Sequence, residues 1–206
     1  MDHHRPVRLH YAWVILAVTC LTVVLTAGVT AVPAVLIHPL EVAFGWDRAA
    51  IALAVSINAH LAALPFQPEL IVASFHGMPQ KYVDAGDPYR EHCVATTEAL
   101  RRRLGLDASK LLLTFQSRFG NDPWLQPYTD KTIEELARKG IKRLAVVTPG
   151  FSADCLETLE EIAQENAEIF RHNGGEQFSA IPCLNDSDAG MDVIRQLVLR
   201  ELQGWI

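Results

Sequence analysis

The sequence has few cysteines, no excess of basic residues and no phosphate-binding glycine motif. Its four cysteines are scattered without a C-x-x-C pair, so no zinc knuckle or thioredoxin-like motif is indicated, and we expect reduced thiols. The net charge is −6 over 206 residues. A nucleic-acid binder needs a basic surface, so that class is not expected. No G-x-G-x-x-G stands at a strand–helix turn, which argues against a nucleotide site.

Charged side chains are missing altogether between Tyr11 and Pro39. A membrane-spanning helix needs about 20 apolar residues, and Trp13–Leu36 is long enough. Arg5 and Arg8 precede this run and favour a cytoplasmic amino terminus. A secretory signal peptide has an apolar core of only about 7–15 residues. We therefore predict a retained span and a membrane-associated protein.

A second span is less clearly indicated. Residues 49–66 would form a helix roughly 27 Å long at the usual rise per residue, slightly short for a bilayer core of about 30 Å. Asn58 and His60 would also be costly within the membrane. With one span the globular part would lie outside the cytoplasm, and with two it returns inside. The sequence leaves one or two spans open, and we expect the globular part in the cytoplasm.

The rest of the chain alternates apolar strands with helical segments, which predicts an α/β fold with a parallel sheet and helices on both faces. Gly and Pro residues mark most of the breaks between these segments. The predicted strands are Leu70–Phe75, Lys110–Phe115, Leu144–Thr148 and Phe178–Pro182. The predicted helices are Pro88–Leu104, Thr132–Lys139, Ala153–His172 and Met191–Leu202.

Polar side chains stand at the ends of three of these strands. His76 follows the first, Gln116-Ser117-Arg118 the second, and Ser152-Ala153-Asp154 the third. Parallel strands bring such residues to one edge of the sheet, where open α/β sheets bind ligands. Taken alone, His76 is as well explained by a hydrogen-bond network within its loop. The strand ends therefore predict where a site would lie without fixing its chemistry.

Three glutamates recur every fourth residue on the predicted third helix. Glu157, Glu161 and Glu165 would share one helix face. The spacing alone fits a solvated acidic face equally well. Asp154 and Glu157 also fit the D-x-x-E form of a helix-capping pair. The residues by themselves leave these alternatives open.

Several long motifs carry a specific resemblance. They begin with Ser74-Phe75-His76-Gly77-Met78-Pro79 and Lys81-Tyr82-Val83-Asp84, and continue with Thr114-Phe115-Gln116-Ser117-Arg118-Phe119-Gly120, Pro123-Trp124-Leu125, Pro149-Gly150-Phe151-Ser152-Ala153-Asp154-Cys155-Leu156-Glu157-Thr158-Leu159 and Ile181-Pro182-Cys183-Leu184-Asn185-Asp186. In this order the motifs resemble the ferrochelatase family, whose members insert ferrous iron into protoporphyrin. The resemblance covers residues 59–206, which are similar to the carboxyl-terminal half of the bacterial form of the enzyme. The amino-terminal half of that enzyme has no counterpart in this sequence.

Residues 1–58 resemble a different family. Leu9-His10-Tyr11-Ala12-Trp13-Val14 and the stretch Pro39–Ala49 are similar to the start of a major facilitator transporter. Every other helix of such a transporter is missing, so transport is not expected. The resemblances together predict a transmembrane leader over residues 1–58 and a ferrochelatase-like domain over residues 59–206.

The ferrochelatase resemblance implies roles for individual residues. It implies that His76 and Glu157 are the catalytic pair and contact the metal, with Glu161 and Glu165 as a conduit for metal or protons. Ser117 and Trp124 would line the porphyrin pocket, although Trp124 fits a core aromatic equally well. The implied substrates are protoporphyrin IX and Fe²⁺, with no further cofactor and no cysteine pattern for an iron–sulfur cluster.

Because the sequence has no counterpart of the amino-terminal half, two functions are considered. The first is an active ferrochelatase whose cleft is completed by a second chain. The second is a catalytically impaired, membrane-anchored fusion fragment that at most binds porphyrin or metal. An assay of the chain with and without that half distinguishes them.

Overall fold

The computed structural model describes residues 18–20, 57 and 60–205 of the chain. The chain divides into two units, Met1–Pro39 and Leu40–Ile206. Of the first unit only the helical residues 18–20 are described. The predicted span Trp13–Leu36 and the transporter-like motifs therefore lie almost wholly outside the described residues. Within the described part of the chain, no helix is both long enough and apolar enough to cross a bilayer.

The second unit is built on a four-stranded sheet in the order β2-β1-β3-β4. All three strand pairs are parallel, with Ile71 of β1 opposite Leu111 of β2 on one side and Ala145 of β3 on the other. The predicted parallel sheet is confirmed. The strands are β1 Leu70–His76, β2 Leu111–Gln116, β3 Arg143–Val147 and β4 Gln177–Ala180.

Helices lie between successive strands, and one further helix follows β4. One short helix, α1, was not predicted, because its five residues give too little periodicity to recognise. The helices are α1 Gln80–Asp84, α2 Tyr89–Leu104, α3 Thr129–Arg138, a π-helix Glu157–Asn166, α4 Ala167–His172 and α5 Asp188–Glu201.

Alternate residues of the strands face opposite sides of the sheet. Ile71, Ala73 and Phe75 of β1 belong to one apolar cluster, which includes Cys93 and Leu100 of α2. The intervening residues Leu70 and Val72 belong to a second cluster, which includes Ile133 and Ala137 of α3 and Ile162 and Phe170 from the π-helix and α4. Helices cover both faces of the sheet, so the strand residues that point to either face are apolar, as is usual in a parallel sheet.

The described residues at the end of the segment considered as a second span belong to the globular core. Residues 60–63 are helical, and Ile57 is only 2% exposed. Leu61 and Leu64 pack against the same apolar cluster as Phe75. A segment packed against the sheet cannot also face lipid, so the described end of residues 49–66 argues against the second of the two spans that the sequence left open.

The prediction of one α-helix over Ala153–His172 also needs correction. The helix starts later and its first ten residues, Glu157–Asn166, form a π-helix with i→i+5 hydrogen bonding. The side-chain amide of Asn166 donates to the carbonyl of Glu161, five residues back, at 2.8 Å. A turn of slightly more than four residues keeps Glu157 and Glu161 on one face of the helix. The predicted grouping of these glutamates therefore survives the change of helix type.

Candidate active site

The carboxyl ends of the strands and the start of the π-helix bring the predicted residues to one edge of the sheet. His76 ends β1 directly opposite Gln116, which ends β2. The side-chain amide of Gln116 donates to the backbone carbonyl of Glu157 at 3.0 Å. The first turn of the π-helix is thus hydrogen-bonded to the end of the sheet. Glu157 therefore lies at the same edge as His76, and we call this carboxyl-terminal edge of the sheet the rim.

His76 is held by two hydrogen bonds. Its Nδ1 lies 2.7 Å from the carbonyl oxygen of Gly77. Because a carbonyl oxygen only accepts, Nδ1 is the donor in this contact, and Nε2 is the ring nitrogen that the contact leaves unused. The Tyr89 hydroxyl donates to the backbone carbonyl of His76 at 2.8 Å, and burial raises the pKa of that phenol. A neutral imidazole held in this orientation can accept a proton or ligate a metal through Nε2.

Glu157 is partly buried and stays ionised more readily than an ordinary glutamate. The thiol of Cys155 donates a hydrogen bond that lowers the pKa of the Glu157 carboxyl, and His76 lowers it further through its charge. In return, burial and the neighbouring Glu157 raise the pKa of Cys155. The structure thus places His76 and Glu157, predicted as the catalytic pair, at the same edge of the sheet, and His76 contributes to the lowered pKa of Glu157.

The other two glutamates of the predicted row differ from each other. Both carboxylate oxygens of Glu161 accept hydrogen bonds from Ser117: Oε1 from the backbone N–H at 2.7 Å, and Oε2 from the hydroxyl. Glu165 lies one turn further along the π-helix and is exposed. Glu161 is therefore already engaged by protein donors, whereas Glu165 faces solvent. Their role as a conduit stays a prediction.

Trp124 lies behind the rim and is covered by another aromatic residue. Its side chain is 5% exposed, and its indole N–H donates to the carbonyl of Phe119 at 3.0 Å. The two rings are 4.8 Å apart between centroids, and Phe119 is 74% exposed. Trp124 therefore packs as a core aromatic, and Phe119 presents the open aromatic surface. The sequence analysis did not single out Phe119.

A buried chain of polar side chains supports the rim from below, and sequence reasoning missed it. The hydroxyl of Ser74 donates to Gln116 Oε1 at 2.7 Å and lies 2.8 Å from the hydroxyl of Thr129. Thr129 donates in turn to Thr114 at 2.9 Å. A serine and a threonine within otherwise apolar strands were the available signal, because buried hydroxyl groups require partners.

A second unpredicted contact fixes the loop that leads into the π-helix. Asn185 donates its side-chain N–H to Asp154 Oδ2 at 2.6 Å and accepts the backbone N–H of Asp154 at 2.8 Å. Thr158 donates to Asp154 Oδ1 at 3.0 Å. Because Asp154 is used in this way, it acts as a loop anchor and not as a capping partner of Glu157.

Next to the rim, Arg118 is committed to an ion pair. Its guanidinium contacts both carboxylate oxygens of Asp130 at 2.6 and 2.8 Å and lies 4.2 Å from the ring centroid of Tyr128. Burial opposes ionisation of Asp130, but the hydrogen bond from Arg118 lowers its pKa overall. Among the described residues, no group of three or more His, Cys, Asp or Glu side chains could hold a metal ion. The metal-contacting role of His76 and Glu157 stays a prediction.

The fold and the site define a class: an α/β protein with a histidine and a carboxylate at the carboxyl edge of a parallel sheet. The sequence model of the Ferrochelatase family matches residues 49–202. The chain belongs to the ferrochelatase family. It is 85% identical over 155 residues to a ferrochelatase of Bradyrhizobium diazoefficiens, 83% to one of Nitrobacter hamburgensis and 77% to one of Rhodopseudomonas palustris.

These alignments cover 75% of the chain but only 45% of each relative. The chain therefore spans less than half the length of the curated ferrochelatases that it matches. Residues 1–48 lie outside the family match. The family membership thus rests on the globular unit, which carries the candidate site.

Proposed function

We propose that this chain provides the His76–Glu157 half of a ferrochelatase site, which inserts Fe²⁺ into protoporphyrin IX. The observation that carries the proposal is the pairing of an imidazole with an ionised carboxylate at one edge of the sheet. His76 donates from Nδ1 to the carbonyl of Gly77, and Glu157 has a lowered pKa to which His76 contributes. The membership of the chain in the ferrochelatase family supports the assignment of the substrates.

The reaction needs both kinds of group. Two pyrrole N–H protons must leave the macrocycle while Fe²⁺ enters it. The Nε2 lone pair of His76 is suited to take up a proton or to contact the metal. The carboxylate of Glu157 is a second oxygen donor suited to ferrous iron. The exposed side chains of Phe119 and Leu156, 74% and 69% exposed, offer apolar surface for a flat aromatic ring.

The partner that we propose is the amino-terminal half of a ferrochelatase, supplied by a second chain. The curated relatives share the sequence of this unit and contain more than half their length in addition. Helix α5 and the turn after it bear apolar side chains at spacings of three and four residues, which form one stripe. They are Met191, Ile194, Val198, Leu202 and Trp205, between 38% and 86% exposed. A contiguous apolar stripe of this kind marks a surface that another domain covers.

An insertion assay tests the proposal. The full chain is incubated in detergent with protoporphyrin and Zn²⁺ or Fe²⁺, alone and with a separately produced amino-terminal ferrochelatase domain, and metalloporphyrin formation is followed by absorbance. We expect little or no turnover alone, because misplacement of opposed catalytic groups costs orders of magnitude in rate, and clear turnover on mixing. Absence of turnover in both cases would favour the alternative, a fragment that at most binds porphyrin or metal.

We also propose that Trp13–Leu36 anchors the chain in the membrane. The proposal rests on the length of this charge-free run and on the arginines that precede it. After expression of the full chain, an anchored protein should remain with the membrane fraction in alkaline carbonate. Release into the supernatant would contradict the anchor and leave the assignment of the globular unit unaffected.

A further inference from the structure

We propose that Ser117 is a positioning residue, which holds Glu161 and thereby sets the π-helix that carries Glu157. The proposal deepens the function proposed above and rests on the metal-contacting role of His76 and Glu157. It assigns to the Ser117 hydroxyl a partner within the protein. The expected lining of the porphyrin pocket by Ser117 does not explain that contact.

The geometry at Ser117 is specialised for this contact. Ser117 follows directly after β2 and has a φ of 63°, in the left-handed region that residues other than glycine seldom adopt. In this conformation its backbone N–H and its hydroxyl both point to the same carboxylate. The two hydrogen bonds use both oxygens of Glu161, so the carboxylate is held as by a fork.

The contact between Ser117 and Glu161 holds the π-helix in place and does not only orient the Glu161 side chain. Glu161 lies one turn after Glu157 on the π-helix, and its backbone carbonyl accepts the side-chain amide of Asn166. Gln116 adds a hydrogen bond to the carbonyl of Glu157 at 3.0 Å and a longer one to Glu161 Oε2 at 3.4 Å. Adjacent residues at the end of β2 therefore hold two successive turns of the helix. Displacement of Glu161 would shift the carboxylate of Glu157 relative to His76.

The hydrogen bonds to Glu161 also affect its expected role, with Glu165, as a conduit for metal. A carboxylate with both oxygens accepting from Ser117 must leave that contact before it can ligate a metal through the same lone pairs. The structure thus separates the three glutamates. Glu157 is placed for contact with the substrate, Glu161 for support, and Glu165 for exposure to solvent.

The test compares Ser117→Gly with a matched control, Ser109→Gly. Glycine accepts the positive φ at residue 117, so the substitution removes the hydroxyl without adding strain. Ser109 also donates its N–H and its hydroxyl to a carboxylate, in this case to the single oxygen Oδ1 of Asp107 at 2.7 and 2.6 Å, before β2 at the other end of the sheet. Any general effect of replacing a carboxylate-bound serine by glycine should appear in both variants.

Two readouts are taken on the full chain. The first is Co²⁺ binding, followed by titration and by the visible absorption bands of the bound ion, with His76→Ala to identify the site. The second is hydrogen exchange of the peptide that covers residues 157–166, followed by mass spectrometry. We expect Ser117→Gly to weaken Co²⁺ binding about tenfold, to alter the bands and to speed exchange in this peptide, whereas Ser109→Gly leaves all three as in the unsubstituted chain. In a Glu161→Ala background the further effect of Ser117→Gly should vanish.

Each other result contradicts the proposal in a defined way. Faster exchange with unchanged Co²⁺ binding would make the contact merely structural. Weaker Co²⁺ binding with unchanged exchange would make Ser117 itself a metal contact. No change in either readout would mean that Ser117 has no positioning role. If the unsubstituted chain shows no His76-dependent Co²⁺ binding, the proposed metal role fails, and the exchange data alone decide whether Ser117 holds the helix.

Discussion

The backbone N–H of Gly77 donates to the carbonyl oxygen of Gln116 at 2.6 Å, which joins the ends of β1 and β2 just beyond His76. A Cβ atom on Gly77 would lie 2.7 Å from that same oxygen and 3.1 Å from Trp124. The close approach is possible only because residue 77 has no side chain. The position of His76 on the rim therefore depends on the presence of a glycine at residue 77.

Gly77→Ala should disturb the site and destabilise the fold. The contact with Gln116 involves backbone, which cannot move aside as a flexible side chain would, so we expect a loss of about 1–3 kcal/mol in the free energy of unfolding. Gly150→Ala is the matched control, because its Cβ would meet only Phe75, at an ordinary 3.4 Å. Urea unfolding measures both variants. Equal stabilities for the two would show that the strand ends tolerate the added methyl group.

The pH dependence of Glu157 tests its electrostatic environment. Its pKa is lowered from 4.5, first by Cys155 and also by His76, so the carboxylate persists below the usual titration range. Any stability from this charge is present above the unfolded pKa and is lost as pH falls through the folded one. Cys155→Ala should shift the titration of Glu157 toward higher pH, whereas Cys155→Ser retains a donor and should shift it less.

Carbon-13 NMR of labelled glutamate carboxyl groups, with Glu157→Gln for assignment, measures this shift. Because Cys155 is the largest cause, an unchanged midpoint in Cys155→Ala would show that its thiol does not donate to Glu157 in solution.

The Asp154–Asn185 contact should be important for stability. Asn185 donates to a carboxylate whose pKa is lowered by these hydrogen bonds although burial opposes it. Loss of hydrogen bonds to a charged group costs about 1.5–3 kcal/mol, and the positive φ of 49° at residue 185 adds strain for alanine. Thermal or urea unfolding should show Asn185→Ala as destabilised by about 2 kcal/mol or more. The exposed Asn121 provides the control substitution, and equal stability of the two variants would contradict the role of the contact.

Substitutions of the two contacting aromatic residues, Trp124 and Phe119, should separate stability from ligand binding. Truncation of a buried tryptophan costs about 3–5 kcal/mol, so Trp124→Ala should lower the melting temperature markedly. Phe119→Ala should change it little, because that ring is mostly exposed, but should weaken porphyrin binding measured by fluorescence quenching. Equal porphyrin affinity in Phe119→Ala and the unsubstituted chain would remove Phe119 from the pocket.

Much of this architecture could be predicted from the sequence. Apolar runs ending in a polar residue located β1 and β2 within one residue of their observed ends, and the parallel sheet followed from alternation with helices. His76 and Ser117 were predicted at one edge of the sheet because strand ends meet there, whereas Glu157 was singled out by the ferrochelatase resemblance. These features depend on local sequence and on a simple rule of topology.

Other features depend on contacts that sequence spacing does not show. The π-helix could not be predicted, because a row of glutamates every fourth residue fits an α-helix equally well. The engagement of Glu161 depends on Ser117, 44 positions away. The anchor on Asp154 comes from Asn185, 31 positions away. Hydrogen bonds between distant residues of this kind are specified only by the assembled fold.

The most direct test of the account compares zinc insertion by His76→Ala and His172→Ala, each mixed with the amino-terminal ferrochelatase domain and protoporphyrin. His172 ends α4, is exposed and lies away from the rim, so it controls for the loss of any histidine. The account predicts that His76→Ala forms no metalloporphyrin above background while porphyrin still binds, and that His172→Ala matches the unsubstituted chain. Equal turnover in the two variants would contradict the assignment of His76 and, with it, the site at this edge of the sheet.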